Sequence, residues 1–242
     1  MNARTHAASA CRTARVSVVR ALVAPVALAA LLSGCMTAKL DENRFLPTAI
    51  AADEGLVILA KPQVEGTGSE DSFMDCVGDK LASGQRPLRV HGNQEFQDTL
   101  FPWFEASTAP VRAEGVTALL NRPKVARRLA DTGVRYVVWL DGNTRKTDGG
   151  GSIACAAAPG AAGCIGFGWW ERQSDYEATV WDLKTAKSAG SVTTNVTGTS
   201  AMVGLVVPLP FIARVQGTAC DRLAGQLRSF LSGTDPSAAG GT

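Results

Sequence analysis

The chain has 242 residues, 45% of them hydrophobic, and carries 24 Lys plus Arg against 22 Asp plus Glu. That length supports one domain with a real core, and the apolar content argues against wholesale disorder. The near-balance of charge offers no basic footprint for nucleic acid.

Residues 1–34 hold Arg4, Arg12, Arg15 and Arg20 and no Asp or Glu. An apolar run, Ala21 to Leu32, follows. As a helix it covers about 18 Å against about 30 Å for a bilayer core, so it suits a cleavable leader rather than a span. It ends in Leu32-Ser33-Gly34-Cys35. Small residues beside the scissile bond admit a peptidase, and the thiol can take up diacylglycerol. The motif resembles the lipobox of bacterial lipoproteins. The resemblance implies a signal peptide over 1–34 and an acylated (palmitate-bearing) Cys35 anchored to a membrane. Met36, where such proteins carry Asp for inner-membrane retention, implies the outer membrane, facing the periplasm. Two or three acyl chains at about 0.8 kcal/mol per methylene make such attachment effectively permanent. Without residues 1–34 there remain 20 Lys plus Arg against the same 22 acids.

Residues 35–54 are mixed and polar without a period, which predicts a lipidated tether. A single α/β domain is predicted over 55–232. Gly55 to Ala60 is a short apolar run, as in a buried strand. Ser69 can cap a helix to about Ala82, with Phe73, Cys76, Val77 and Leu81 on one face. Leu88 to His91 forms a second strand. Asn93 then caps a helix holding Phe96, Leu100, Phe101 and Phe104. Helices over Val111–Leu120 and from Asn121 to about Gly133 follow, the latter with Val125 and Leu129. Val134 to Asp141 is apolar on both faces, as a central strand is.

Residues 142–163 read as a flexible Gly- and Ala-rich excursion around Cys155, after which Ile165 to Glu171 resumes strand character. Tyr176–Leu183 and Ser191–Thr199 form a hairpin. In its second strand Val192, Thr194 and Val196 alternate with Thr193, Asn195 and Thr197, predicting one wet face. Ala201 to Ile212 is apolar and broken by Pro208 and Pro210. A buried crossover is favoured there over a membrane-inserting piece, because membrane strands alternate. A last helix aligns Cys220, Leu223, Leu227 and Phe230, and 233–242 reads as a disordered tail. The predicted fold is α/β in the broad, α+β sense. It is a mixed, mostly antiparallel sheet packed with helices, in the order β-α-β-α-α-α-β-β-β-β-α.

Beyond Cys35 and the leader's Cys11, four cysteines remain. An even count in an oxidising compartment reads as two disulfides, and three pairings exist. Cys155–Cys164 is preferred because eight residues separate them across a Gly-rich stretch. Cys76–Cys220 then follows by elimination.

Several phrases resemble a family of bacterial envelope domains. It includes the amino-terminal domain of TolB, the curli secretion channel subunit and the lipoprotein activators of penicillin-binding proteins. Leu56–Leu59 matches its opening strand, and Gly133–Leu140 its "Gly-Ala-Asp-Tyr-Val-Leu" strand. Tyr176–Val192 matches a strand, an "Asp-x-x-Thr-Gly" turn and a second strand, with Asp182 and Thr185 in place and Ala186 for the Gly. Ala219–Leu231 matches the closing helix. The resemblance implies a non-enzymatic module that binds or helps assemble envelope components. Its departures are the Gly-rich excursion, the helices from Val111 to Gly133, and the cysteines.

No catalytic constellation stands out. His91 is the one histidine beyond the leader, and a lone His at a strand end is usually structural. Asp141 and Asp182 lie at strand ends, where Asp serves turns. No G-x-S-x-G, H-E-x-x-H, P-loop or CxxC occurs, so no metal or cofactor is expected. Phe167, Trp169 and Trp170 are the candidate partner-binding cluster. On a strand 167 and 169 share a face and 170 takes the other, so both Trp are shielded only if both faces are covered. The expected partners are the membrane, through the lipid, and an unidentified envelope protein. An oligomeric secretion or export pore and an envelope enzyme are the competing readings.

Overall fold

The computed structural model describes residues 36–61, 71–105, 107–205 and 207–234. The predicted leader, Cys35, Ser69 and most of the predicted tail lie outside them. The strands are β1 (Met36–Arg44), β2 (Gly55–Ala60), β3 (Arg89–His91), β4 (Val134–Ala158), β5 (Ala161–Asp182), β6 (Lys187–Leu205) and β7 (Val207–Phe211). The helices are α1 (Asp71–Ala82), α2 (Asn93–Thr99), α3 (Gly115–Leu120), α4 (Pro123–Asp131) and α5 (Val215–Leu231). From β2 onward the order is the predicted one.

One mixed sheet runs β1-β6-β5-β4-β2-β3, with β7 beside the far end of β6. Only β2·β3 and β2·β4 are parallel. The sheet carries a core on each face. On one side Phe73, Val77, Leu81, Leu223, Leu227 and Phe230 from α1 and α5 pack on Leu56, Tyr136, Tyr176 and Val192. On the other, Phe96, Val116, Leu119, Val125 and Leu129 pack on Val57, Val137, Trp139 and Trp181. That is why β2 and the start of β4 read as continuous apolar runs: both faces are covered. The Phe73 and Tyr176 rings stack with centroids 3.5 Å apart.

Both preferred disulfides are present among the described residues. Cys76–Cys220 ties α1 to α5 across 144 residues, and Cys155–Cys164 joins directly opposed residues of β4 and β5. The predicted wet face also forms: Val192, Thr194 and Val196 are buried while Thr193, Asn195 and Thr197 are half-buried.

Four expectations are corrected. The first concerns the tether. Residues 36–44 are strand β1, zipped antiparallel to β6 from Met36 opposite Gly198 to Arg44 opposite Gly190. Its side chains bury little, so no hydrophobic period announced it, and the backbone ladder holds it. Beyond it, Arg44 donates to the Phe230 carbonyl at 3.0 Å, and the Ile50 N–H donates to the Leu231 carbonyl at 2.9 Å. The segment therefore closes over the end of α5.

Second, residues 142–163 are not an irregular excursion. β4 runs on to Ala158 and β5 starts at Ala161, joined by Pro159 and Gly160 with Gly160 at φ +89°. Gly and Ala have poor strand propensity, and here pairing overrides it. Third, 201–212 is not a buried crossover: β6 continues to Leu205 and β7 pairs back on it, Ala201 opposite Phe211. Ile212 is exposed. Fourth, two helices are shorter than predicted. α2 ends at Thr99, just before Pro102 restricts Phe101, which is left exposed. α3 starts at Gly115, leaving Val111 on the surface.

Candidate functional site

The enzyme candidates do not converge. His91 lies on β3, opposite Val57 of β2, which is opposite Val137 and, through it, Trp181. Three strand spacings of about 4.8 Å therefore separate it from the β5 row that ends in Asp182. Its Nε2 is buried without a partner among the described residues and packs where a Cβ on Gly55 would sit. Burial and Arg89 hold its pKa below the ordinary value, partly offset by Glu95. Its cleft, about 380 Å³, is lined by Arg89, Glu95, Arg128 and Asp131 among others. Asp141 stands 3.8 Å from Lys61.

Asp182 belongs to a structural knot. Arg135 donates to both its carboxylate oxygens at 3.1 Å and to both oxygens of Glu54 at 3.1 Å. Lys184 also bonds Glu54, and the Lys184 N–H donates to Asp182 at 2.9 Å. Burial alone would raise the Glu54 carboxyl, but Lys184, the Ala51 N–H and Arg135 outweigh it and lower its pKa to about 2. The knot joins the starts of β2 and β4 to the β5–β6 turn, beside a cleft of about 320 Å³. Its acid oxygens already accept from cations, so this geometry suits clamping rather than proton transfer.

The distinctive surface is at the other end of the sheet. β2 ends at Ala60, opposite Leu140. From Asp141 onward, β4, β5 and β6 continue together as an arm, with β7 as its fourth strand. At the base its wet face is polar. Arg145 pairs with Asp175 at 2.9 Å, Gln173 donates to Asp175 at 3.0 Å, Asn195 also bonds Asp175, and Thr147 donates to Glu171 at 2.9 Å. The opposite face of the base holds Thr144, Ser174 and Tyr176 in a hydroxyl chain, at 2.6 and 3.1 Å.

Past the row of Asp148 and Glu171, charge stops. Residues 149–170 and 188–213 contain no Asp, Glu, Lys or Arg. Trp170 opposite Gly149 and Trp169 opposite Gly150 form the next rows, both half-buried. Phe167 and Ile165 follow on the Trp169 face, 49% and 73% exposed. Each Trp lies on its own face of the arm. The sequence cluster is thus brought together, but the surface is larger than it: Val203 stands beside Phe167 and Ala201 beside Trp169. A charge-free stretch was readable in the sequence; that two such stretches share one sheet was not.

The register also fixes the edges of the arm. The Cα atoms of Cys155 and Cys164 are 4.0 Å apart, as in a pair that exchanges no backbone bonds. The N–H and C=O of Gly151, Ile153, Cys155 and Ala157 therefore point outward along an edge of β4 that no other described strand pairs, while the Gly149 N–H on the same edge donates to Asp148 Oδ1 at 2.7 Å. Carried across β5 and β6, the same alternation places Pro208 and Pro210 at the outward positions of β7. Proline has no N–H, so that edge offers no donors there. Among the described residues the arm has one open edge and one closed edge.

No family model matches the chain, and no curated protein matches it. Similar solved structures include two of the PelC dodecamer from Paraburkholderia phytofirmans, one of them a point variant. Both are 12% identical to this chain and cover 82% of it, with 99% and 98% of their own chains matched. Their TM-scores of 0.37 and 0.36 are too low to bear on function.

Proposed function

We propose that this protein is a lipid-anchored component of the bacterial envelope, held through Cys35 on the outer membrane and facing the periplasm. It acts as a non-enzymatic binding or assembly module. The observation that carries this reading is the Leu32-Ser33-Gly34-Cys35 motif standing one peptide bond before β1, behind a basic, apolar leader. Two disulfides support an oxidising compartment. The phrases shared with the TolB, curli-channel and penicillin-binding-protein-activator domains support a binding role. Phe167, Trp169 and Trp170 are the contact residues, because aromatic side chains on a half-exposed sheet face are common anchors at interfaces.

The test is the mass of the Cys35 peptide and the fate of Cys35→Ser. The reading expects a diacylglyceryl adduct on an amino-terminal Cys35, and a variant that leaves the membrane fraction. An unmodified Cys35 behind an uncut leader would overturn it.

A second reading, a subunit of an oligomeric pore, is favoured by one observation: the outward backbone groups of Gly151, Ile153, Cys155 and Ala157 face no strand among the described residues. It predicts a large ring that survives mild detergent on native gels, whereas the first reading predicts a monomer or dimer.

A further inference from the structure

We infer that the cleft at the root of the arm, floored by Trp139 and Trp181, binds a small zwitterion with an apolar body, of the class of a free apolar amino acid. The inference uses neither the lipid anchor nor the aromatic cluster of the arm.

The cleft lies where β2 ends and the arm begins, on the face of the sheet that α3 and α4 cover, and its volume is about 230 Å³. Register builds its floor. Trp139 of β4 stands opposite Leu59 of β2 and Thr179 of β5, and Trp181, two residues along β5, stands opposite Ser188 of β6. Alternation places Trp139, Thr179 and Trp181 on one face. The indole rings meet edge to face with centroids 5.2 Å apart. Thr179 and Ser188 add two hydroxyls to the walls, and the exposed rim carries Lys61, Arg112 and Glu114.

Three observations fix the chemistry of the occupant. The first is a donor. Trp139 is 2% exposed, and its indole N–H is buried with no acceptor among the described residues. The Trp181 ring offers it at most a weak π contact. Buried polar groups nearly always have a partner, so an N–H without one in the floor of a cleft asks for an acceptor from outside the chain.

The second is the mixture of charge. Arg112 and Glu114 line the same cleft and form no ion pair with each other. Lys61 stands 3.8 Å from Asp141, and Glu177 lies opposite Asp141 in the next row toward the arm. Glu114, Asp141 and Glu177 thus face Lys61 and Arg112, so a simple anion meets more acid than base. A simple cation leaves the indole N–H without an acceptor. A ligand with both signs answers both conditions. Its carboxylate accepts from Trp139 on the side of Lys61 and Arg112, and its ammonium pairs with Glu114. The third is size. The volume falls below the roughly 300–1,000 Å³ of pockets for drug-sized ligands, and its floor is two indoles, which suits one apolar side chain.

The experiment uses the full chain, labelled with ¹⁵N and isolated from the producing cells in non-ionic detergent. The sequence holds five Trp, so the indole N–H region of a proton–nitrogen spectrum holds five signals. That of Trp139 is identified by its loss in Trp139→Phe. The probes are L-phenylalanine, phenylpropionate, which lacks the ammonium, and phenethylamine, which lacks the carboxylate. Phenylalanine is expected to move the Trp139 signal. Phenylpropionate should bind about threefold more weakly and phenethylamine about tenfold, as expected for losing one exposed ion pair and for losing two with a hydrogen bond. Arg112→Gln should weaken phenylalanine about threefold and leave phenethylamine unchanged, whereas Glu114→Gln should weaken phenylalanine about threefold and leave phenylpropionate unchanged. Both substitutions lie at exposed positions, so they carry the test even where Trp139→Phe fails to fold. Far-UV circular dichroism checks each variant. Indole signals that stay in place at phenylalanine concentrations well above the millimolar range overturn the inference. So does either one-charge probe binding as tightly as phenylalanine, or a Glu114→Gln variant that binds it more tightly. The readout is the same whether or not Cys35 is acylated, so these failures leave the proposed anchor standing.

Discussion

The two disulfides have unequal thermodynamic weight, and the difference can be calculated. Cys76–Cys220 closes 144 residues, whereas Cys155–Cys164 closes 9. In the chain-entropy model these loops correspond to about 5 and about 2.6 kcal/mol at 25 °C. The long bridge acts on the whole unfolded chain and joins the two helices that cover one core. The short bridge pins a hairpin arm outside both cores, so only part of its weight should reach the main transition. The perturbation is Cys76→Ala with Cys220→Ala, compared with Cys155→Ala with Cys164→Ala. Alanine avoids placing a hydroxyl at Cys220, which is fully buried. Urea unfolding is followed by far-UV circular dichroism without reductant. With a slope of about 2.5 kcal/mol per M, loss of the long bridge should lower the midpoint by about 2 M. Against a typical total of about 5–15 kcal/mol, that leaves a marginal fold. Loss of the short bridge should move the midpoint by under about 1 M. Equal shifts, or a larger one from the short bridge, would refute the assignment of the long bridge as the global staple.

Two further outcomes follow from local geometry. Gly142 sits at φ +133° where the arm leaves the domain, and a Cβ there would lie 2.0 Å from the Asp175 carbonyl oxygen. Gly142→Ala should cost about 2 kcal/mol or more in a thermal scan. Gly160→Ala, at the open arm turn with nothing within 4 Å, should cost about 1 kcal/mol. Glu54 is held at a pKa of about 2, below its ordinary 4.5. The unfolded chain therefore takes up this proton first, so the contribution is complete above pH 4.5 and is lost as pH falls toward 2. It amounts to at most about 3.4 kcal/mol, reduced by solvent screening. Urea midpoints between pH 7 and pH 3 should fall more steeply for the parent than for Glu54→Gln, and parallel curves would contradict the clamp.

The parts of this protein that are legible in its sequence are those whose side chains do the holding. β2 and the start of β4 read as buried strands because two cores need apolar residues on both faces. α1 and α5 read as helices because Phe73, Val77 and Leu81, and Leu223, Leu227 and Phe230, recur at helical spacing. The cysteine count and the spacing of Cys155 from Cys164 led to both bridges. The aromatic cluster at 167–170 was visible as well, as a short apolar strand holding three large rings.

Tertiary structure decided what backbone pairing holds. β1 carries a polar, aperiodic sequence and is a strand only because the exposed edge of β6 is there to receive it. Residues 142–158 are rich in Gly, Ala and small polar residues with scattered charges, and they extend because β5 lies opposite them. Which charges face one another, where charge stops along the arm, and where β1 begins beside β6 all depend on the register between segments far apart in sequence. A residue's side chain reports its own burial, whereas its N–H and C=O are the same in every residue but proline. A pattern read along one strand therefore cannot say which partner those groups will find.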